Sequence, residues 1–376
     1  MIKINKELLT LNQDIAGQEI GIPVYRVFDD KNEIDVPTVY IQSAVHAAEM
    51  QGSAVIFKLI DALKSLRLHA EFILVPNCNP FGRTQRAGEY LQGRFDATTG
   101  NNWNRFYHYA DSDATDFIAG LTEPQRQSLK NGDEAEFIAD FKVFLNTRIA
   151  ERLTNDWGVN TAQYLNLTLQ SLSVEADLVL DLHTGPSSTR HLYSPEFLAE
   201  SAKWFNVENI IAIPESFAGA LDEASFTPWC KLAAELALDG IDIQYRVQAF
   251  TIELGSQENI CLSQAQNDME GILNYLQHRD FIQGFTTLKQ TKVTTTPLCD
   301  YRTLFSKHAG MVEYLAKAGD KVKRGDVLAR VLNSLEFENG HAVKEIRSPD
   351  DGTVILHYPS AAVQIGTQLY KIAVNR

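Results

Sequence analysis

The chain lacks long apolar runs and paired cysteines, and each absence excludes a class of protein. No apolar run in its 376 residues approaches the roughly 18 that a membrane-spanning helix needs. The first residues also lack the apolar core of a signal peptide. Four scattered cysteines show neither metal-ligand nor redox spacing: Cys78, Cys230, Cys261 and Cys299. We therefore expect a soluble, cytoplasmic protein whose cysteines are reduced and structural.

Positive charge is also in short supply. The 34 lysines and arginines are outnumbered by 48 aspartates and glutamates, which gives a formal net charge of -14. Such a field repels nucleic-acid phosphates and anionic lipid, so neither nucleic acid nor a membrane is an expected partner. A small molecule or a short peptide is expected instead, and a homo-oligomer stays open. The acidic segment "DSDATD" at 111–116 is predicted to be a solvated loop.

Apolar runs suited to buried strands alternate with helical patterns, which is typical of a layered α/β domain. The strand-like runs are "VPTVYIQ", "EFILVP", "DLVLDL" and "VQAFTIEL". One helix is predicted to begin near Glu49, and others at about 134–153, 160–174, 226–238 and 263–277. The length predicts two domains, and the Thr-rich segment 286–299 is interpreted as their boundary, giving the ranges 1–290 and 300–376.

The last part of the chain differs from the rest. From Phe305 onward, short β-like runs alternate with turn signals at 318–320, 324–326, 338–340 and 349–352. This pattern predicts an all-β C-terminal domain.

Two motifs place ionisable side chains at the ends of apolar strands, where α/β sheets build their sites. "HAAE" carries His46 and Glu49, and "DLHTGP" carries His183. Each has a structural alternative when taken alone, either a chance pair or a histidine held by local hydrogen bonds. Together, the three suit one Zn(II) per chain with a fourth position for water, whose pKa coordination lowers to about 7. The same donors also admit Co(II), Ni(II) or Mn(II).

Other polar residues extend this hypothesis. Asp181 lies on the same side of its strand as His183, where it either orients the imidazole or forms an ordinary end-of-strand hydrogen bond. Glu253 interrupts the apolar run "FTIELGS", and a carboxylate there is either paired with an arginine or a general base. The polar loop after "VPNCNP" carries four arginines, of which one is expected to bind a carboxylate or oxyanion: Arg83, Arg86, Arg94 and Arg105.

The ordered motifs resemble the zinc carboxypeptidase superfamily and, within it, the succinylglutamate desuccinylase/aspartoacylase family, over about residues 20–280. They are "HAAE", Asn79-Pro80, "GRF", "NWNR", "DLHTG" and "TIELGS". The resemblance implies a mixed β-sheet flanked by helices. It also implies the following roles: zinc ligands His46, Glu49 and His183; general base Glu253; carbonyl-polarising Arg94; and substrate-carboxylate ligands Asn104 and Arg105.

Two features of the loop bear on this assignment. Arg94 is preferred to Arg86 because ten residues separate it from Asn104, a common gap in the superfamily. The family's usual Asp-Leu-Asn-Arg reads Asn-Trp-Asn-Arg at 102–105. The pocket beside Arg105 is therefore expected to differ from that of other members.

The tail resembles a biotinyl/lipoyl carrier domain, a small β barrel or sandwich. Glu336 occupies the position of the modified lysine, so no biotin or lipoate is expected. By the same resemblance, the C-terminal domain is predicted to cap the active-site mouth.

The function predicted from these residues is zinc-dependent hydrolysis of an N-acyl amino acid or a similar small amide that bears a carboxylate. A metallocarboxypeptidase with a more open cleft is the nearest alternative. A non-catalytic, metal-dependent binding protein is a further one, although the joint presence of base, arginine and ligands argues against it.

Overall fold

The computed structural model describes residues 1–32, 36–338 and 340–375. Its strands are β1 (Ile2–Gln13), β2 (Glu19–Asp29), β3 (Thr38–Ser43), β4 (Arg67–Leu68), β5 (Glu71–Val75), β6 (Arg86–Ala87), β7 (Tyr90–Leu91), β8 (Leu178–Gly185), β9 (Ser187–Ser188), β10 (Arg190–Pro195), β11 (Asn209–Ile213), β12 (Gln248–Ser256), β13 (Ile282–Gln283), β14 (Thr294–Pro297), β15 (Tyr301–Phe305), β16 (Gly310–Tyr314), β17 (Lys321–Val322), β18 (Val327–Leu332), β19 (Val343–Arg347), β20 (Gly352–His357), β21 (Ala362–Val363) and β22 (Gln368–Val374). Its α-helices are α1 (Gln51–Leu63), α2 (Asp113–Ala119), α3 (Glu123–Lys130), α4 (Ala135–Leu153), α5 (Thr161–Ser173), α6 (Ala199–Ala202), α7 (Leu221–Leu238) and α8 (Leu262–His278).

A nine-stranded mixed sheet forms the centre of the molecule, in the order β1-β2-β5-β3-β8-β12-β10-β11-β14. The four strands β5, β3, β8 and β12 run parallel to one another. Their carboxyl ends therefore meet at one edge, which is where open sheets of this kind bind ligands. This arrangement confirms the predicted mixed sheet flanked by helices.

Alternate residues of each central strand pack into two separate cores, because successive side chains point to opposite faces. Tyr40 and Val179 face the core that is covered by α4, α5 and α7. Ile41 and Leu180 face the core that is covered by α1 and α8. A strand buried on both faces has to be apolar almost throughout, which explains the continuous runs in the sequence.

The four predicted strands are present as β3, β5, β8 and β12, and the predicted helices as α1, α4, α5, α7 and α8. Helix α7 begins several residues before the predicted start, with Pro228 inside it. None of the described helices is long and apolar enough to cross a membrane.

The prediction of a solvated loop at 111–116 is wrong in its second half, which forms the first turns of α2. Asp113 is only 3% exposed. Its carboxylate accepts a hydrogen bond from Nε2 of His108 at 2.9 Å and lies 3.9 Å from Nε of Arg148. Partners from outside the segment stabilise this buried acid, and a local pattern of polar residues cannot reveal them.

The C-terminal part forms antiparallel sheets, as predicted from its all-β pattern. One contains β15, β22, β20 and β17, and the other contains β19, β18, β16 and β21. Their shared core includes Leu328, Val354 and Leu369. Turns lie at 318–320 and 324–326, with φ of 98° at Gly319 and 92° at Gly325. The predicted turn at 338–340 includes Asn339, which lies outside the described residues. The likeness to a carrier domain stays a prediction.

Two short strands connect the C-terminal sheets to the central sheet. β14, which lies in the Thr-rich segment 286–299, pairs with β11 as the last strand of the central sheet. β9, just after the end of β8, pairs antiparallel with β20 of the C-terminal part. The chain that follows His183 is therefore fixed to the C-terminal sheet. The division into domains at 1–290 and 300–376 stays a prediction.

Candidate metal centre and active site

His46, Glu49 and His183 converge at the carboxyl edge of the central sheet. One potential ligand atom of each lies within 4.8 Å of the others, and all three side chains are buried. Nδ1 of His46 is 3.1 Å from Oε1 of Glu49, and Nδ1 of His183 is 2.9 Å from Oε2 of the same carboxylate. Two imidazoles and a carboxylate are a donor set that Zn(II) accepts, so the three residues fit a metal site.

The backbone between β3 and α1 is shaped to bring two of these ligands to the edge. Ala44 has φ of 63°, a left-handed conformation that a residue with a side chain rarely adopts. Asn79 of the Asn79-Pro80 motif donates from Nδ2 to the carbonyl of Val45 at 2.7 Å. A Cβ on Gly52 would lie 2.6 Å from Cβ of Leu182, so glycine is needed for α1 to approach β8 this closely.

Each imidazole is oriented by a polar group on its outer nitrogen. Nε2 of His183 donates to Oδ2 of Asp181 at 2.8 Å, the contact proposed from the sequence. Nε2 of His46 donates instead to Oδ1 of Asn102 at 2.8 Å. Both contacts leave Nδ1 directed at Glu49. Asn102 is the residue at which the sequence departs from the family's usual aspartate, so one histidine is held by a carboxylate and the other by a neutral amide.

The local electrostatics keep Glu49 ionised. Burial alone would raise the pKa of its carboxyl, but His46 and His183 hold this pKa well below its usual range. Burial lowers the pKa of His46, which favours the neutral imidazole that a metal needs. Burial alone would also lower the pKa of His183, but Asp181 and Glu49 raise it well above its usual value.

Arg94 is the loop arginine that reaches this cluster. Its guanidinium donates to Oε1 of Glu49 at 2.7 Å. The preceding residue, Gly93, has φ of 63°, and its carbonyl accepts the N–H of Ala47 at 2.9 Å. This contact fixes the arginine loop to the turn that carries the ligands. Arg86, the alternative, is exposed on the β6–β7 hairpin and does not line the pocket.

A pocket of about 160 Å³ opens beside the cluster and brings the other predicted residues together: Arg94, Asn104, Arg105 and Glu253.

Glu253 lies next to His183 across the β8–β12 pair. Among the described residues, its Oε2 has no hydrogen-bond partner and no arginine forms an ion pair with it, so the alternative of an arginine-bonded glutamate is not observed. Burial and the nearby Glu49 carboxylate raise the pKa of Glu253 to about 7. This is close to the value expected for a general base. Nδ2 of Asn104 donates to Asp181 at 3.3 Å.

Sequence reasoning missed three charged residues that line this pocket: Lys371, Asp222 and Glu223. Lys371 enters it from β22 of the C-terminal sheet, and burial lowers the pKa of its ammonium group. It interrupts the apolar run "QLYKIAV", which is the kind of signal that identified Glu253. Asp222, in the first turn of α7, is 3% exposed and accepts the hydroxyl of Thr251 at 2.9 Å. An acid at a helix start is common on electrostatic grounds, so no sequence pattern distinguishes Asp222 from other acids at helix starts.

The fold and the His-Glu-His site together define an amidohydrolase of the zinc-dependent type. The family model described as "Succinylglutamate desuccinylase/Aspartoacylase catalytic domain" matches residues 35–279. The chain belongs to the succinylglutamate desuccinylase/aspartoacylase family, as predicted from its motifs.

Solved structures of similar proteins agree with this membership. A succinylglutamate desuccinylase/aspartoacylase family protein from Shewanella amazonensis SB2B is 41% identical, with 98% of each chain covered and a TM-score of 0.89. One from Shewanella frigidimarina NCIMB 400 is 36% identical, covers 100% of this chain and 98% of its own, and has a TM-score of 0.91. The ectoine utilization protein EutE (DoeB) from Ruegeria pomeroyi shares the fold at 19% identity, with 100% and 95% covered and a TM-score of 0.65. A search of curated proteins gave no significant match.

Proposed function

We propose that the protein is a zinc-dependent deacylase that hydrolyses the amide bond of a small N-acyl amino acid. The observation that carries this proposal is the pocket in which a His-Glu-His cluster, a buried glutamate and two arginines face one another. Oε2 of that glutamate, Glu253, has no hydrogen-bond partner among the described residues. Each group has a role in amide hydrolysis.

Nδ1 of His46, Nδ1 of His183 and the carboxylate of Glu49 would hold one zinc ion. The bound ion polarises the scissile carbonyl and lowers the pKa of a water molecule to about 7. Asp181 and Asn102 keep both rings in the tautomer whose Nδ1 is free to bind. The donor set also admits Co(II), Ni(II) or Mn(II).

Glu253 moves the protons of the reaction. A carboxylate with a pKa of about 7 accepts a proton from the attacking water at neutral pH and then donates it to the departing nitrogen. Arg94 donates hydrogen bonds to the oxygen on which negative charge develops, a preorganised contact that requires no reorientation during the reaction. Its hydrogen bond to Glu49 holds the guanidinium at the ligand cluster.

Arg94 is assigned to the carbonyl oxygen, so the other two basic side chains of the pocket, Arg105 and Lys371, would bind the substrate carboxylate. Arg105 presents a planar fork of donors suited to a carboxylate. Lys371 adds a second positive charge from the C-terminal sheet. Asn104, predicted to assist Arg105, also contacts Asp181, so it would connect the carboxylate site to the histidine that Asp181 orients.

The position of Lys371 favours a deacylase over a carboxypeptidase, because a residue of the C-terminal sheet enters the pocket. We propose that this sheet acts as a cap that limits the site to small substrates. A peptidase needs an open groove for the chain that precedes the scissile bond. A non-catalytic binding protein would have no use for a buried glutamate beside the cluster whose Oε2 has no partner in the described part of the chain.

The test is hydrolysis of a panel of N-acyl amino acids by zinc-loaded protein, together with Glu253→Gln. We expect the variant to bind zinc as the parent does and to lose turnover by several orders of magnitude. The matched control is Glu196→Gln, which changes an exposed glutamate away from the pocket and should leave turnover unchanged. Equal rates for Glu253→Gln and the parent would refute the assigned proton transfer.

A further inference from the structure

We infer that Asp222 is a specificity residue that binds a cationic group, ammonium or guanidinium, on the substrate. The inference rests on the proposed deacylase function and extends it to a substrate class that the family's name does not contain. The site consists of Asp222 and Thr251 on the wall of the pocket that also holds Glu253 and Arg105.

The geometry places Asp222 beside the reacting groups. Thr251 and Glu253 are two residues apart on β12, so their side chains lie on the same face of the sheet. Thr251 pairs with Asp181, and Glu253 pairs with His183. The two cross-strand pairs are therefore neighbours on the same face of β8 and β12. The hydroxyl of Thr251 donates to Oδ2 of Asp222 at 2.9 Å. This hydrogen bond fixes the carboxylate of Asp222 at the pocket wall, beside the strand position that is next to Glu253 on the same face.

The carboxylate of Asp222 is poorly compensated in comparison with its neighbour. Glu223 accepts backbone N–H groups from Phe217, Ala218 and Gly219, so its buried charge is well solvated by the protein. Within the described ranges, Asp222 accepts only the hydroxyl of Thr251 and the N–H of Glu223. No basic side chain of the described residues forms an ion pair with it.

A buried carboxylate without a cation is unfavourable unless it pairs with one when the site is in use. Burial, and then the nearby Glu223, raise the pKa of Asp222 to about 6, which agrees with this incomplete solvation. The alternative is a structural role in which Asp222 only anchors the start of α7 to β12. That role would use the hydrogen bond to Thr251 and the favourable position of an acid at a helix start, but it would not make the charge of the substrate matter.

The cationic group can lie on either half of the substrate. On the amino-acid half it would be the side chain of a lysine-like residue whose α-amine is acylated and whose carboxylate binds Arg105. On the acyl half it would be an amine of the acyl chain. An acidic side chain is disfavoured near Asp222, because like charges repel strongly where water is excluded.

The first experiment measures amino acid binding to the zinc-loaded protein by calorimetry, with L-lysine, L-norleucine and L-glutamate as probes. We expect L-lysine to bind roughly 30-fold or more tightly than L-norleucine, and L-glutamate to bind most weakly. Because calorimetry does not depend on turnover, a preference for L-lysine would support the role of Asp222 even if the protein does not hydrolyse the panel of N-acyl amino acids. Hydrolysis of neutral and acidic substrates without a cationic preference would instead leave the deacylase proposal intact and refute the role of Asp222.

The second experiment compares kcat/KM for Nα-acetyl-L-lysine and Nα-acetyl-L-norleucine in Asp222→Asn and Thr251→Val. The charge-neutral Asp222→Asn should reduce the preference for the lysine derivative by roughly 30-fold or more and leave kcat/KM for the norleucine derivative within about threefold. Thr251→Val, which keeps the charge and removes the hydrogen bond, should keep most of the preference. Equal losses for both substrates in both variants would indicate a structural role.

A third comparison locates the cationic group. N-(β-alanyl)-L-norleucine and N-butyryl-L-norleucine differ by an amine on the acyl half alone. A preference for the β-alanyl compound that disappears in Asp222→Asn supports the same residue with the cation on that half. The inference is overturned if neither half shows a cationic preference, or if Asp222→Asn leaves the preference of the parent unchanged.

Discussion

Replacing Asp222 with asparagine should make the protein more stable at neutral pH, although it removes a proposed substrate contact. The carboxylate is 3% exposed, and burial raises its pKa to about 6, against about 3.9 in an unfolded chain. Asparagine has nearly the same shape and stays uncharged. Its amide can donate to Thr251 and accept the N–H of Glu223, so both hydrogen bonds of Asp222 can be replaced.

The sign follows from proton linkage. Since the pKa is higher in the folded protein, the folded state binds more protons than the unfolded state between about pH 4 and pH 6. The stability of the parent therefore falls as the pH rises through this window, and the penalty is constant above it. Since one pKa unit corresponds to about 1.4 kcal/mol, the penalty is about 3 kcal/mol at pH 8 and roughly half of that at pH 5.

The assay is urea unfolding of the chelated protein at pH 5 and pH 8, so that metal binding does not contribute. The free energy of unfolding of Asp222→Asn should exceed that of the parent by about 3 kcal/mol at pH 8 and by roughly half as much at pH 5. Asp156→Asn, which changes an exposed aspartate, should match the parent at both values. A variant less stable than the parent at pH 8, or a pH-independent difference, would refute the claim that Asp222 is a buried, uncompensated charge.

Three further substitutions test the site. Asn102→Ala removes the acceptor that orients His46 and should weaken zinc binding about 10- to 100-fold, as measured by competition with a chelator. An affinity equal to that of the parent would mean that the contact does not orient the ring. Lys371→Met should raise KM about tenfold for a carboxylate-bearing substrate with little change in kcat, and an unchanged KM would remove the C-terminal sheet from substrate binding. Arg94→Met should lower kcat about 100- to 1000-fold. Arg86→Met, on the exposed hairpin, should leave kcat unchanged. The reverse outcome would assign the carbonyl-polarising role to Arg86.

The sequence could predict the central sheet because its strands are buried on both faces. β3, β8 and β12 have to be apolar along their whole length, so a polar residue in them is conspicuous. His183 and Glu253 were found in this way, and their neighbouring positions on β8 and β12 explain why they meet. The His46–Glu49 pair was found because it follows a strand of the same kind.

What the sequence could not predict depends on contacts between distant segments. Asp113 lies in a run of polar residues that is typical of a loop, yet His108 and Arg148 stabilise it inside the fold. The entry of Lys371 into the pocket depends on how the C-terminal sheet meets the central one, and no local pattern contains that information.

Asp222 and Lys371 together suggest how this pocket selects its substrate without a change in the reacting groups. The candidate ligands and Glu253 lie at or just after the ends of central strands, where a change would move the groups that we propose to react. Asp222 lies at the start of a helix and Lys371 on an added sheet, so either can change while the strand ends stay in place. Opposite charges on separate walls of one pocket fit a substrate that carries both an anionic and a cationic group. A doubly anionic substrate would satisfy only the wall that contains Lys371.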